Sequence, residues 1–259
     1  LELRRFHQEV EKRHLDVPLD WKPQKKGGDA SFFGLGIPMM YGMGAFTEAE
    51  LHASADANLG WWHHTLECTI DKVDFTWMQP HLRVYAAWLW RLCTLPILPF
   101  EFVGVANQFA TSLEQLSSLA SVGVLGLDKA AARARQLEAL ARRLDEAAGQ
   151  WRSSYRAADA ASEHAAEVLN RCFKHLSNTL IPIQSTVIGA YGHDPYGYTP
   201  QLTVIPCLYD VERFSKLPEG SEERCMLETH LLRQRNRVAD ALATACERIM
   251  HALAQLPRA

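Results

Sequence analysis

The feature that most constrains the fold is a helical periodicity that runs between about residues 111 and 180. This stretch is rich in Ala, Leu, Arg and Glu, and Gly123 and Gly126 mark a break within it. Apolar residues recur there at spacings of three and four, namely Leu137, Leu140, Leu144, Ala148, Trp151 and Tyr155. Because this spacing puts them on one face of a helix, we predict long amphipathic helices.

Three other segments carry helical signals. Residues 1 to 15 place apolar side chains three and four apart among charges, which predicts an amphipathic helix. Residues 71 to 95 predict a longer helix, and a last helix is expected from Ser221, as N-cap, to about residue 253. On the second helix the residues expected to share one side are Val73, Trp77, Val84, Trp88 and Leu92.

Three segments are not predicted to be helical. Between residues 31 and 40 glycines alternate with large apolar residues, which predicts a short buried strand, and residues 41 to 60 read as a loop. Residues 181 to 218 are rich in Pro, Gly and Tyr, which predicts a structured loop. The expected organisation is a mixed α/β domain over residues 1–108 and a helical domain over residues 109–259.

Composition and charge narrow the classes of partner. Basic and acidic residues number 27 and 30, so the chain lacks the positive excess that binds nucleic acid, and no nucleic-acid partner is expected. The most apolar stretch, residues 84–105, is interrupted by charges and prolines, so no membrane span is predicted. The six cysteines lie far apart without metal-knuckle spacing, and no GxSxG, GxGxxG or phosphate-loop string occurs.

The sharpest local signal lies between Gly60 and Asp74. Here His63 and His64 are followed within ten residues by Thr, Glu, Thr, Asp and Lys, at the entrance to a predicted helix. An imidazole on a loop before a capped helix end is a possible metal ligand or catalytic group. The residues alone leave two interpretations open, a metal or catalytic role and an ordinary surface or buried histidine.

The same string carries a resemblance to a known family. HTLECTIDKVD from His64, preceded by GDASFFGLGIP from Gly28, resembles the end of the catalytic domain of the M28 family of zinc aminopeptidases and carboxypeptidases. The downstream order is similar to the branch containing glutamate carboxypeptidase and the transferrin receptor: LPFE from Leu98, long helices, YGHDP from Tyr191, and IPCLYD from Ile205.

This resemblance implies an α/β fold, the end of a mixed-sheet, phosphorylase/hydrolase-like zinc-peptidase sandwich followed by an all-α dimerisation domain. It further implies a metallohydrolase in which a metal-activated water attacks a peptide or amide bond, with two zinc ions per complete active site. His64 is then a zinc ligand, and His63 stands where relatives place a tyrosine that donates a hydrogen bond to the oxyanion. The implied substrate-binding residues are Asp29, Phe32, Phe33, Tyr196 and Tyr198, and Trp62 is a further candidate because it lies close to His64 in the sequence.

The resemblance also implies partners. In the family the other metal ligands and the general base precede this segment, so we expect an upstream segment or a partner chain to supply them, and we expect the chain to be a piece of something longer. The helical domain is expected to form a homodimer, the substrate to be a peptide or N-acyl amino acid, and export is favoured. The alternatives are a non-catalytic receptor-like or dimerisation protein and a non-peptide amidohydrolase.

Overall fold

The computed structural model describes residues 2–15, 28–38, 46–119, 121–192, 194 and 205–257. Within these residues the chain forms eight α-helices, joined by turns and by 3₁₀ helices at Gly28–Leu35, Ile70–Lys72, Gly123–Leu125 and Pro206–Leu208. The α-helices are α1 (Arg4–His14), α2 (Glu48–Ala53), α3 (Phe75–Thr94), α4 (Val103–Ser117), α5 (Leu127–Ser154), α6 (Ala160–Ser185), α7 (Val211–Lys216) and α8 (Glu222–Gln255).

The body of the molecule is a bundle of α4, α5, α6 and α8. Helix α5 packs against both α4 and α8, and α6 packs against α8. The predicted apolar stripe of α5 faces the core, since Leu137, Leu144 and Ala148 are at most 1% exposed. The predicted break is confirmed, because Gly126 takes a φ of 58° between a 3₁₀ turn and α5.

Side-chain hydrogen bonds fix the connections to the bundle. Ser221 is confirmed as the N-cap of α8, where its hydroxyl accepts a hydrogen bond from the Arg224 backbone N–H at 3.3 Å. The buried Arg224 guanidinium donates to the carbonyl oxygens of Phe214, Leu217 and Ser121. One side chain therefore ties α7 and the α4–α5 connection to the start of α8.

Helix α1 links α3 to this bundle. Phe6 and Val10 of α1 are buried, as the sequence predicts, and α3 turns Val84 and Trp88 toward α1. Arg5 at the start of α1 forms ion pairs with Glu101 at 3.2 Å and with Asp145 of α5 at 3.3 Å. The contacts of α1 on its two sides therefore hold α3 against the rest of the molecule.

The fold class expected from the sequence is wrong. Helix makes up 72% of the structure, and the described ranges contain no strand, which conflicts with a mixed-sheet α/β domain. A strand is stable only where a neighbouring strand pairs with its backbone N–H and C=O groups. No other described segment runs extended beside residues 31–38, so this local pattern had no sheet to join.

The predicted buried strand is replaced by the 3₁₀ helix Gly28–Leu35, which packs on α6. Its docking depends on Gly36, whose φ is 70° and whose carbonyl oxygen accepts a hydrogen bond from the Ser177 hydroxyl at 2.5 Å. A Cβ at position 36 would lie 2.3 Å from the Ser177 carbonyl oxygen, so a side chain there would block this contact. The glycine pattern thus permits close approach to a helix.

Both segments that were expected to be loops, residues 41–60 and 181–218, contain helix. Helix α2 lies inside residues 41–60, and its Thr47 and Glu50 form a reciprocal capping box. Between 181 and 218, α6 continues through Pro182 to Ser185, and a 3₁₀ turn and α7 follow later. Residues 193 and 195–204 lie outside the described part of the chain. Across the described helices, none combines the length and the hydropathy needed to cross a membrane.

Candidate functional site

The candidate site is the turn from Gly60 to Asp74, which leads into α3. Gly60 has a φ of 84°, and the Trp62 ring lies so close that a Cβ on residue 60 would be 2.5 Å from it. The rings of Trp61 and Trp62 meet edge to face at a centroid distance of 5.8 Å. Glycine at position 60 therefore lets Trp62 fold back over the backbone and shape the start of the turn.

His63 and His64 lie next in this turn, and both side chains are exposed. Their ring centroids are 3.9 Å apart. His64 has a left-handed backbone with a φ of 61°, a conformation that non-glycine residues adopt rarely, although His, Asn and Asp enter it more readily than most. The turn therefore presents two adjacent imidazoles to solvent.

Threonine hydroxyls brace the turn after the histidines. The Thr65 hydroxyl donates to the Trp62 carbonyl oxygen at 2.7 Å and accepts from the Glu67 backbone N–H at 3.1 Å. The Thr69 hydroxyl donates to the Glu67 carbonyl oxygen at 3.2 Å and also to the Asp71 carboxylate. These bonds hold the backbone on the C-terminal side of His64.

Two carboxylates end the turn, and hydrogen bonds keep both ionised. The Lys72 ammonium and the Thr69 hydroxyl donate to Asp71 and lower the pKa of its carboxyl group to about 2. Asp74 is the N-cap of α3 and accepts from the Thr76 hydroxyl at 2.5 Å and the Thr76 N–H at 2.8 Å, which lowers its pKa. Asp71 therefore has its partners within the turn, and Asp74 has its partner in the first turn of α3.

The predicted zinc centre is not complete within the described residues. No group of three or more His, Cys, Asp or Glu side chains there converges in a way that suits a metal ion. His64 and His63 offer nitrogen donors, whereas a zinc site needs at least three protein ligands. The residues present therefore fit a zinc ion only as a partial ligand set.

The predicted substrate-binding residues do not gather around the histidines. Trp62 lies in the same turn and is half-buried. Phe32 is exposed and Phe33 is half-buried, in the 3₁₀ helix that packs on α6, and this helix also includes the backbone of Asp29. From residues 32–38, the part of that segment whose side chains are described, no hydrogen bond, ion pair or ring contact reaches the described residues of the turn. Tyr196 and Tyr198 lie outside the described residues.

A feature that the sequence analysis missed is the exposed apolar surface that follows the turn. Trp77 was expected on the buried side of α3, yet it is 63% exposed, and the buried residues of α3 are Val84 and Trp88, about two and three turns further along the helix. Further large apolar residues are exposed along the turn and the helix: Leu66, Ile70, Phe75, Met78, Leu82, Leu89 and Trp90. Their spacing on α3, at three and four residues, was the signal available in the sequence.

A cavity of about 540 Å³ lies elsewhere, between the 3₁₀ helix Gly28–Leu35, α6 and α8. Its polar lining includes Asn178, Gln234 and Arg237. The Arg237 guanidinium donates to the Val187 carbonyl oxygen at 3.1 Å and to the Thr186 hydroxyl at 3.4 Å. The Arg237 guanidinium is therefore occupied by hydrogen bonds at the C-terminal end of α6. The cavity lies apart from the Gly60–Asp74 turn, which we call the histidine turn.

Comparisons with known proteins identify no relative. No family model matches the chain, and neither a curated protein nor a solved structure shows significant similarity to it.

Proposed function

We propose that this chain forms part of a zinc-dependent hydrolase of peptide or amide bonds, to which His64 contributes one metal ligand. The observation that supports the proposal best is the geometry of the histidine turn. Two adjacent imidazoles are exposed on a turn braced by threonine hydrogen bonds, and His64 has an uncommon left-handed backbone. Uncommon backbone conformations of this kind cluster at binding and catalytic sites.

The remaining ligands come, in this proposal, from an upstream segment or a partner chain. Two observations support this part of the proposal. The described residues provide no third ligand beside His63 and His64. The surface that follows the turn exposes large apolar side chains, including Leu66 at 98% and Ile70 at 74%, which a partner would cover.

Substrate class and assembly extend the same proposal. The neutral imidazole of His63 has one ring N–H that can donate a hydrogen bond, and Trp61 and Trp62 offer apolar area beside it, which fits a peptide or an N-acyl amino acid. Homodimerisation through the helical domain remains part of the proposal, but the leucine stripe of α5 is buried inside this chain. A dimer surface would therefore use other residues.

A second candidate function is a non-catalytic binding protein built on this helical scaffold. The exposed apolar side of α3 favours it, because that surface suits a macromolecular partner and needs no metal. In that case His64 has no ligand role.

The decisive experiment is His64→Ala in the native assembly purified with any bound partner. We expect the variant to lose at least one zinc ion per chain by elemental mass spectrometry and nearly all hydrolysis of peptide and N-acyl amino acid substrates. His52→Ala is the matched control, since His52 is also exposed but pairs with Asp56 at 3.4 Å. Unchanged zinc and activity in His64→Ala would refute the hydrolase proposal, and metal-free wild-type assembly would favour the binding protein.

A further inference from the structure

We draw no further inference here: the strongest candidate, the exposed apolar surface of α3 between Phe75 and Leu89, carries none because no contact among the described residues shows what covers it.

Discussion

His7 shows how packing changes the chemistry of a single side chain. Its ring lies against Trp88 of α3 with the centroids 4.7 Å apart, and burial lowers the pKa of its imidazole to about 4. In the sequence His7 lies on a predicted amphipathic helix, where it is expected to be solvated or to pack against a neighbouring helix and not to bind a metal. The structure confirms a packing role, and the imidazole stays neutral at physiological pH.

This burial predicts a pH dependence of stability. The unfolded chain binds a proton at His7 below about pH 6.5, whereas the folded chain does so only below about pH 4. The stabilisation that the neutral His7 ring gives the folded state is therefore fully present above pH 6.5 and is lost as the pH falls from 6.5 to 4. Because the ring keeps some contact with solvent, we expect a loss of about 2 kcal/mol.

The measurement is urea unfolding of the wild type and of His7→Phe at pH 7.5 and pH 4.5. The variant should show a smaller drop in the free energy of unfolding between the two pH values. An identical drop in both proteins would mean that other groups account for the acid sensitivity. Glu11 and Glu101 act in the opposite direction to His7. Burial raises the pKa of each carboxyl group, so the folded state binds their protons more readily and these groups favour folding as the pH falls.

At the scale of elements, the sequence predicted the start of α8 correctly and placed the start of α3 too early. Ser221 caps α8 because its hydroxyl is the first side-chain acceptor available to the free N–H groups of the following turn. Asp74 does the same for α3, which begins one residue later, although the sequence placed that start at Asp71. Thr69 and Lys72 hold Asp71 in the preceding turn, so it does not act as a cap.

Loss of the Ser221 cap should destabilise α8 measurably. Ser221→Ala removes the acceptor for the Arg224 N–H and should lower the free energy of unfolding by about 1 kcal/mol. Ser153→Ala is the matched control, since the exposed Ser153 hydroxyl bonds only the Gln150 carbonyl oxygen near the end of α5. Chemical denaturation of both variants checks this. A loss in Ser153→Ala as large as that in Ser221→Ala would argue against a specific capping effect.

At the scale of the whole molecule, α1 acts as the connector between α3 and the bundle. Phe6 is 2% exposed, and the Arg91 guanidinium of α3 lies 5.0 Å from the centroid of its ring. On the other side, Arg5 pairs with Asp145 of α5, and the Glu101 N–H donates to the Glu2 carbonyl oxygen at 2.9 Å. The histidine turn, which leads into α3, therefore depends on α1 for its position.

Truncation of Phe6 should uncouple α3 from the bundle. Phe6→Ala removes a buried aromatic ring and should weaken the packing of α1 by about 3–5 kcal/mol. In hydrogen–deuterium exchange we expect the amides of α3 to lose protection while those of α5 and α8 keep it. Phe32→Ala, at a ring that is 59% exposed, should leave the pattern unchanged. Equal loss of protection in α3, α5 and α8 would show one cooperative unit.

The sequence by itself determined the long helices, because period and capping act over one or two turns, whereas the short helices α2 and α7 were not predicted. The stripe of α5, the break at Gly126 and the cap at Ser221 are all local signals, and all three are present in the structure. Tertiary structure decided the segment at residues 31–38. Its alternating pattern fits a strand, but a strand needs a neighbouring strand, and here the segment docks on α6 as a 3₁₀ helix through Gly36.

The candidate site also has a part that follows from local sequence and a part that depends on tertiary packing. The histidine turn and the Asp74 cap follow from adjacent residues, whereas the position of Phe32 and Phe33 on α6 depends on packing between residues more than a hundred positions apart. The two faces of α3 were both encoded in its sequence as apolar residues at helical spacing. Only the packing of α1 decided which face is buried and which is left exposed, because one helix can cover only one side of another.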